Sequence, residues 1–140
     1  MYPGAHVANH PDQPAVIAAE DGSVLTYREL DETSIRLARL LHEAGLRAGQ
    51  HIAYLSTNRL EVFAIYWAAL RSGLYVTAIN HHLSADEAAY IVKDCGAEVL
   101  IVSADLSELA QAVAQQTPDV RLRLASATSA QLRYVRAADA

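Results

Sequence analysis

The 140-residue chain has one cysteine, Cys95, one lysine, Lys93, and only 19 % charged residues. A lone cysteine cannot close an internal disulfide, so no covalent staple is available to the fold. The net charge is -5 with His neutral, which leaves no basic field of the kind that gathers phosphate backbones and excludes nucleic acid as an expected partner. Long apolar runs are missing as well. FAIYWAAL at Phe63–Leu70 and VLIV at Val99–Val102 fall far short of the roughly 20 residues that a membrane helix needs, so no transmembrane segment is expected. The opening MYPGAHVANHPDQ has neither the basic nor the apolar stretch of a secretory signal, and a reduced, cytoplasmic location is the expectation. The six glycines are dispersed, so no strand runs into GxGxxG or GxxxxGK[ST] and no phosphate cradle is formed from them.

What the chain does have is apolar content, 52 % of its residues, enough to build the core of one compact domain of this length. It also has a local rule that repeats: a helix cap, an amphipathic stretch, a glycine, then a short apolar run. Four capping residues stand three positions before a glutamate, namely Thr26 before Glu29, Asn58 before Glu61, Ser84 before Glu87 and Asp105 before Glu108. Each spacing predicts a helix start in which cap and glutamate satisfy one another's orphan amides. Gly45, Gly73 and Gly96 predict the exits of three of these helices in left-handed conformation. HIAYLS from His51, LYVTAIN from Leu74 and EVLIVS from Glu98 then read as parallel strands covered on both faces.

The first helix, Tyr27 to about Ala44, carries Leu30, Leu37, Leu41 and Ala44 near one stripe, with Arg28, Glu32, Arg36, Arg39 and Glu43 mostly away from it. Before it, AVIAAEDGSVLTY places two apolar arms around Asp21-Gly22 and predicts a small antiparallel hairpin. Near the other end, Val120, Leu122 and Leu124 alternate with Arg121 and Arg123, which predicts an edge strand with one buried and one wet face. The tail SATSAQLRYVRAADA reads as frayed coil or a short helix. The expected fold class is α/β: a mostly parallel sheet with flanking helices, in Rossmann-like β/α repeats, preceded by the hairpin.

Chemistry is scarce. His81 and His82 stand four to six residues before Asp86 and Glu87, a cluster that could hold a metal. If Ser84 caps a helix, however, both acids sit in its first turn and already have a structural task. The adjacent histidines should then point apart, without a further Cys/His pair at ligand spacing, so no metal site is expected. Their place after a strand suits the wall of a ligand crevice better. Cys95 reads as a small packing residue at a helix end. Ser56, Asn80 and Ser103 end the three strands, and none is the acid that a phospho-acceptor domain would need. Trp67, with Phe63, Ile65, Tyr66 and Leu70, reads as core packing at helical spacing. No catalytic, cofactor-binding or metal-binding residue is assigned.

The succession from LTYREL through NRLEVF and AALRSGLYVTAIN to LSADEAAYIVKDCGA resembles, in order and spacing, the amino-terminal part of the AMP-forming acyl-CoA synthetases, over about Pro14 to Ser103. The resemblance implies a parent enzyme that makes an acyl-adenylate from ATP and a carboxylic acid, then passes the acyl group to coenzyme A, with Mg²⁺ assisting. It equally implies that the residues doing so lie further along such chains. The family's Ser/Thr/Gly-rich phosphate loop and its catalytic lysine have no counterpart here, since Lys93 matches neither. Residues 1–140 are therefore expected to be the amino-terminal α/β subdomain of a longer ligase, inactive alone, binding no cofactor by itself and partnered by the remainder of the parent. Cut from its cover, the subdomain should leave apolar surface open and self-associate. The rival expectation is a stand-alone, non-catalytic binding or interaction module.

Overall fold

The computed structural model describes residues 2–126 and the backbone of 134–136. Its contacts gather the chain into two compact units, Met1–Leu46 with Asn58–Ser72, and Arg47–Thr57 with Gly73–Ala140.

The first unit holds a short helix α1 (Gly4–Val7), the hairpin strands β1 (Pro14–Ile17) and β2 (Val24–Thr26), and the helices α2 (Tyr27–Glu43) and α3 (Glu61–Ser72). The hairpin forms as expected, antiparallel, with Ile17 opposite Val24. At its turn the Asp21 carboxylate accepts from Ser23 N–H at 2.9 Å and Ser23 Oγ–H at 2.7 Å, and these bonds hold it below the usual carboxylate range.

α2 starts in a complete capping box. Glu29 N–H donates to Thr26 Oγ1 at 3.2 Å, and Thr26 N–H donates back to Glu29 Oε2 at 2.9 Å. It ends in a Schellman turn. Gly45, at φ +95°, donates to His42 O at 3.0 Å, and Leu46 N–H reaches Leu41 O at 3.1 Å. Leu46 and Leu41 are both buried, which supplies the apolar contact that accompanies this turn. Leu30, Leu37 and Leu41 are buried and the five charged residues of the other face are exposed.

α3 packs on α2 but not by the face the aromatic spacing suggested. Ala64, Ile65, Ala68 and Ala69 are buried and Trp67 is half-buried, while Phe63, Tyr66 and Leu70 are 45 %, 40 % and 57 % exposed. Apolar residues surround this helix, so periodicity did not single out a face, and the small alanine side chains allow the closer approach. The helix also begins at Glu61, so Glu61 is its first residue rather than the third after an Asn58 cap.

The second unit is a five-stranded sheet in the order β4-β3-β5-β6-β7. Its strands are β3 (His51–Leu55), β4 (Tyr75–Ile79), β5 (Ala97–Ser103), β6 (Leu122–Ser126) and β7 (Tyr134–Arg136), with helices α4 (Ala85–Asp94) and α5 (Ser107–Gln116) between them. β3 to β6 run parallel and β7 returns antiparallel. Ala53, Leu55, Leu100 and Val102 meet Ala88, Ala89 and Val92 of α4 and Val113 of α5 in one core. The opposite side chains, Ile52, Val99 and Ile101, are buried as well. β4 departs from this pattern: Tyr75 is 62 % exposed, because β4 is the outer strand.

Two expectations for the tail are corrected. β6 is not an edge, since β7 pairs beyond it with Ala125 opposite Val135; residues 134–136 are thus strand rather than coil or helix, and the rest of SATSAQLRYVRAADA after Ser126 lies outside the described residues. The arginine face is wet only in part: Arg121, just before β6, is exposed as expected, while Arg123 is half-buried. Arg121 pairs with Glu98 at 2.6 Å, and Arg123 Nη2 donates to Thr117 O and, at 3.0 Å, to Thr117 Oγ1. Arg123 therefore caps the carbonyl end of α5, where a cation complements the helix dipole, and burial lowers its pKa. Among the described residues no helix is long and apolar enough to cross a membrane.

Thr26→Ala and Ser84→Ala should each lower unfolding free energy by about 1 kcal/mol, read by urea denaturation. Asn58→Ala should cost clearly less, because α3 starts three residues later; an equal loss would restore Asn58 as a cap.

Candidate functional site

In the second unit the chain passes from β3 to β4 on one side and then to β5 on the other. At this reversal the connections that follow β3 and β5 run to opposite sides of the sheet order, the place where open parallel sheets form ligand crevices. Leu55 opposite Val102 is the last register pair there. Ser56 and Thr57 leave β3, and Ser103 ends β5 before a single 3-10 turn, Ala104–Leu106.

These loops are tied together. Thr57 Oγ1–H donates to Asp105 Oδ2 at 2.9 Å and Thr57 N–H donates to the buried Ser103 Oγ at 3.4 Å, while Ser56 Oγ–H turns to Thr57 O at 2.8 Å. Asp105 is thus not the cap of α5 that its spacing to Glu108 suggested. It sits in the 3-10 turn, and α5 begins after Leu106 with no side-chain cap. Ser103 and Ser126 are register partners, both buried, and extend a row of hydroxyls along the carboxyl edge of the sheet.

The loop after β4 is a second wall. Asn80 Oδ1 accepts from His82 N–H at 2.9 Å and Asn80 O accepts from Leu83 N–H at 3.2 Å. This tight turn breaks the alternation of extended chain, so the rings of His81 and His82 do not point apart. Their centroids lie 4.0 Å from each other, tilted by 39°. Among the described residues no group of three or more His, Cys, Asp and Glu is placed to hold a metal.

Asp86 and Glu87 do sit in the first turn of α4. Ser84 N–H donates to Glu87 Oε2 at 2.9 Å, Ser84 Oγ–H donates to the same oxygen at 3.0 Å, and Glu87 N–H donates to Ser84 Oγ at 3.3 Å. These bonds hold the Glu87 carboxyl below its usual range, the backbone donor foremost. Asp86 Oδ1 accepts from Gln116 Nε2 at 2.8 Å and so links α4 to α5. Cys95 is the C-cap of α4, half-buried against the core, with its thiol directed to Val92 O at 3.5 Å. Lys93 is in the last turn of the same helix.

Chemically, this edge offers hydroxyls, amides and carboxylates that already serve one another. A phosphate chain does not fit it. The Thr57 and His82 amides are donated within the loops, and the first turn of α4, where an anion would otherwise dock, carries Asp86 and Glu87. The arrangement positions loops and can form a wall; among the described residues it presents no paired nucleophile and base. Sequence reading had missed the Thr57–Asp105 tie. The available sign was a Ser-Thr pair directly after the strand that the topology makes central.

Fold and site together define an open α/β scaffold with a polar carboxyl rim. The family model described as AMP-binding enzyme matches residues 4–138, and the chain belongs to that family. The fatty acid–[acyl-carrier-protein] ligase ScoC of Streptomyces coeruleorubidus is 28 % identical over 125 residues, covering 89 % of this chain and 24 % of that protein. The 2-succinylbenzoate–CoA ligase of Oceanobacillus iheyensis is 41 % identical over 93 residues, covering 66 % and 19 %. A crystal structure from Rhodopseudomonas palustris assigned as a long-chain-fatty-acid CoA ligase superposes with a TM-score of 0.79 at 26 % identity, covering 93 % of this chain and 33 % of that one. The chain thus spans about a fifth to a quarter of the length of these two ligase relatives.

Two results should follow. Protein purified without a histidine tag should carry no stoichiometric zinc or nickel by elemental analysis; metal that disappears in the His81→Ala, His82→Ala double variant would make the pair a ligand site. Because the folded Glu87 pKa is depressed, its contribution to stability is complete above the unfolded glutamate pKa of about 4.3 and is lost as pH falls through the folded value. Urea midpoints of wild type and Glu87→Gln should therefore converge on acidification through that window, and a gap that persists or widens would contradict the assignment.

Proposed function

We propose that residues 1–140 are the amino-terminal α/β subdomain of a longer adenylate-forming ligase that joins a carboxylic or fatty acid to coenzyme A while ATP is split to AMP and pyrophosphate. In this reading the chain is scaffold and one wall of the acyl or CoA pocket. The observation that carries it is the family match over residues 4–138 in a chain spanning only 24 % of ScoC and 19 % of the 2-succinylbenzoate–CoA ligase. Those names join acids to carrier-protein or CoA thiols, which supports a thiol acceptor and leaves the acid aliphatic or aromatic.

The parent would use ATP, Mg²⁺ and CoA. Adenylation requires charge developing at a phosphate to be met by preorganised cations and amides. The rim built by Ser56, Thr57, Ser103 and Asp105 spends its described donors internally, so these residues hold loop positions rather than a nucleotide. The chain alone is accordingly inactive and binds none of these cofactors by itself. Its partner is the remainder of the ligase, in the cytoplasm, and without that cover it self-associates.

Incubating the chain with ATP, Mg²⁺ and a panel of aliphatic and aromatic acids should release no pyrophosphate above background. Reproducible, acid-dependent release would overturn the scaffold role. Appending a downstream segment with a Ser/Thr/Gly-rich loop and a lysine-bearing carboxy-terminal domain from a related ligase should be needed to obtain turnover.

A further inference from the structure

We infer that the outer edge of β4 is a pairing surface for a second copy of this chain, joined antiparallel about a two-fold axis through Thr77. β4 ends the sheet, and among the described residues no strand lies beyond it. Its register with β3 is unbroken, from Tyr75 opposite His51 to Ile79 opposite Leu55. Tyr75 N–H donates to Gln50 O at 2.9 Å. In a parallel ladder alternate residues address one neighbour, so Tyr75, Thr77 and Ile79 turn their N–H and C=O toward β3. Those of Val76 and Ala78 point out of the sheet.

Folded proteins blunt such an edge with proline, a charged side chain or a bulge. The β4 sequence YVTAI has none of these. Tyr75 is 62 % exposed and Ala78 is exposed, so the edge can be reached.

The occupant follows from the strand's complementarity to itself. With Thr77 opposite Thr77, Val76 falls opposite Ala78 and Tyr75 opposite Ile79. Val76 and Ala78 are the residues whose polar groups face outward, so this register makes them the hydrogen-bonded pairs, each exchanging both of its bonds. It leaves the threonine pair at the non-bonded position, where side chains approach closest. A one-residue slip sets outward groups against inward ones and loses the bonds. A two-residue slip keeps their parity but leaves strand ends unpaired. Threonine on threonine is a favourable cross-strand pair. The contact is isologous and closes on itself, so it ends at a dimer.

This deepens the self-association in the reading above but depends on no ligase chemistry, so the pyrophosphate assay and the following experiment fail independently. Sedimentation of the 140-residue chain should show a concentration-dependent dimer, and exchange of the Val76 and Ala78 amides should slow as the dimer fills. Ala78→Pro removes an outward N–H without touching the β3 ladder, a position at which an edge strand accepts proline. It should raise the dimer dissociation constant at least tenfold with an unchanged far-UV spectrum. Tyr75→Lys, on an exposed side chain, should do the same should Ala78→Pro fail to fold. A chain that stays monomeric, a dimer whose Val76 and Ala78 amides exchange freely, or a folded Ala78→Pro variant that still dimerises would each overturn the proposal. A longer form of the chain that is monomeric yet protects both amides would put an intramolecular strand on the edge and overturn it equally.

Discussion

The second unit depends on β3 being paired on both sides. Ile52, Ala53 and Leu55 have no exposure at all, and β4 and β5 take both edges of the strand. A strand in that position has no room for an unpaired polar group, because an orphan donor or acceptor without water costs more than a made hydrogen bond returns. The apolar run HIAYL is the sequence form of that constraint. It also explains where polarity reappears, at Ser56 and Thr57, the first residues past the dry segment. The rim chemistry is therefore a boundary effect of the core: Thr57 turns to Ser103 and Asp105 across the carboxyl ends of β3 and β5.

The same logic governs the helices around the sheet. α4 is fixed at its start by Ser84 and Glu87, at its end by Cys95 and Gly96, and laterally by Asp86 to Gln116. α5 lacks a side-chain cap at its start, and its other end is held by Arg123 reaching in from β6. Acids at one terminus and a guanidinium at another oppose the helix dipoles in the favourable sense. The acids also set their side chains in α4's first turn, where an anion would otherwise dock.

Features determined by near neighbours were legible in the sequence. The capping boxes at Thr26 and Ser84, the glycine exits at Gly45, Gly73 and Gly96, and the strands from His51, Leu74 and Glu98 all depend on residues a few positions apart, and each is present. Features decided by distant partners were not. Asp105 has the spacing of a cap, yet Thr57, 48 residues away, takes its carboxylate. Phe63, Tyr66 and Leu70 share a helical stripe, but alanines on the other face win the buried side. Arg121 and Arg123 alternate as a solvated face would, and Arg121 is exposed, but Arg123 is drawn in to the end of α5. The rings of His81 and His82 stay together for a local reason, the turn imposed by Asn80. Family membership was legible because the order of short motifs survives even where no single motif is specific.

The two units are interleaved along the chain: Met1–Leu46 and Asn58–Ser72 form one, and Arg47–Thr57 and Gly73–Ala140 the other. During synthesis, at roughly 5–20 residues per second, β3 leaves the ribosome before α3, so the central strand of one unit must wait while the last helix of its neighbour is still being made. The hairpin and α2 can begin to pack at once, whereas β3 finds its first parallel partner only when β4 follows α3. An apolar strand held without either neighbour is a natural client for a chaperone that shields nascent chains. The interleaving also means that neither unit can be excised as one continuous stretch.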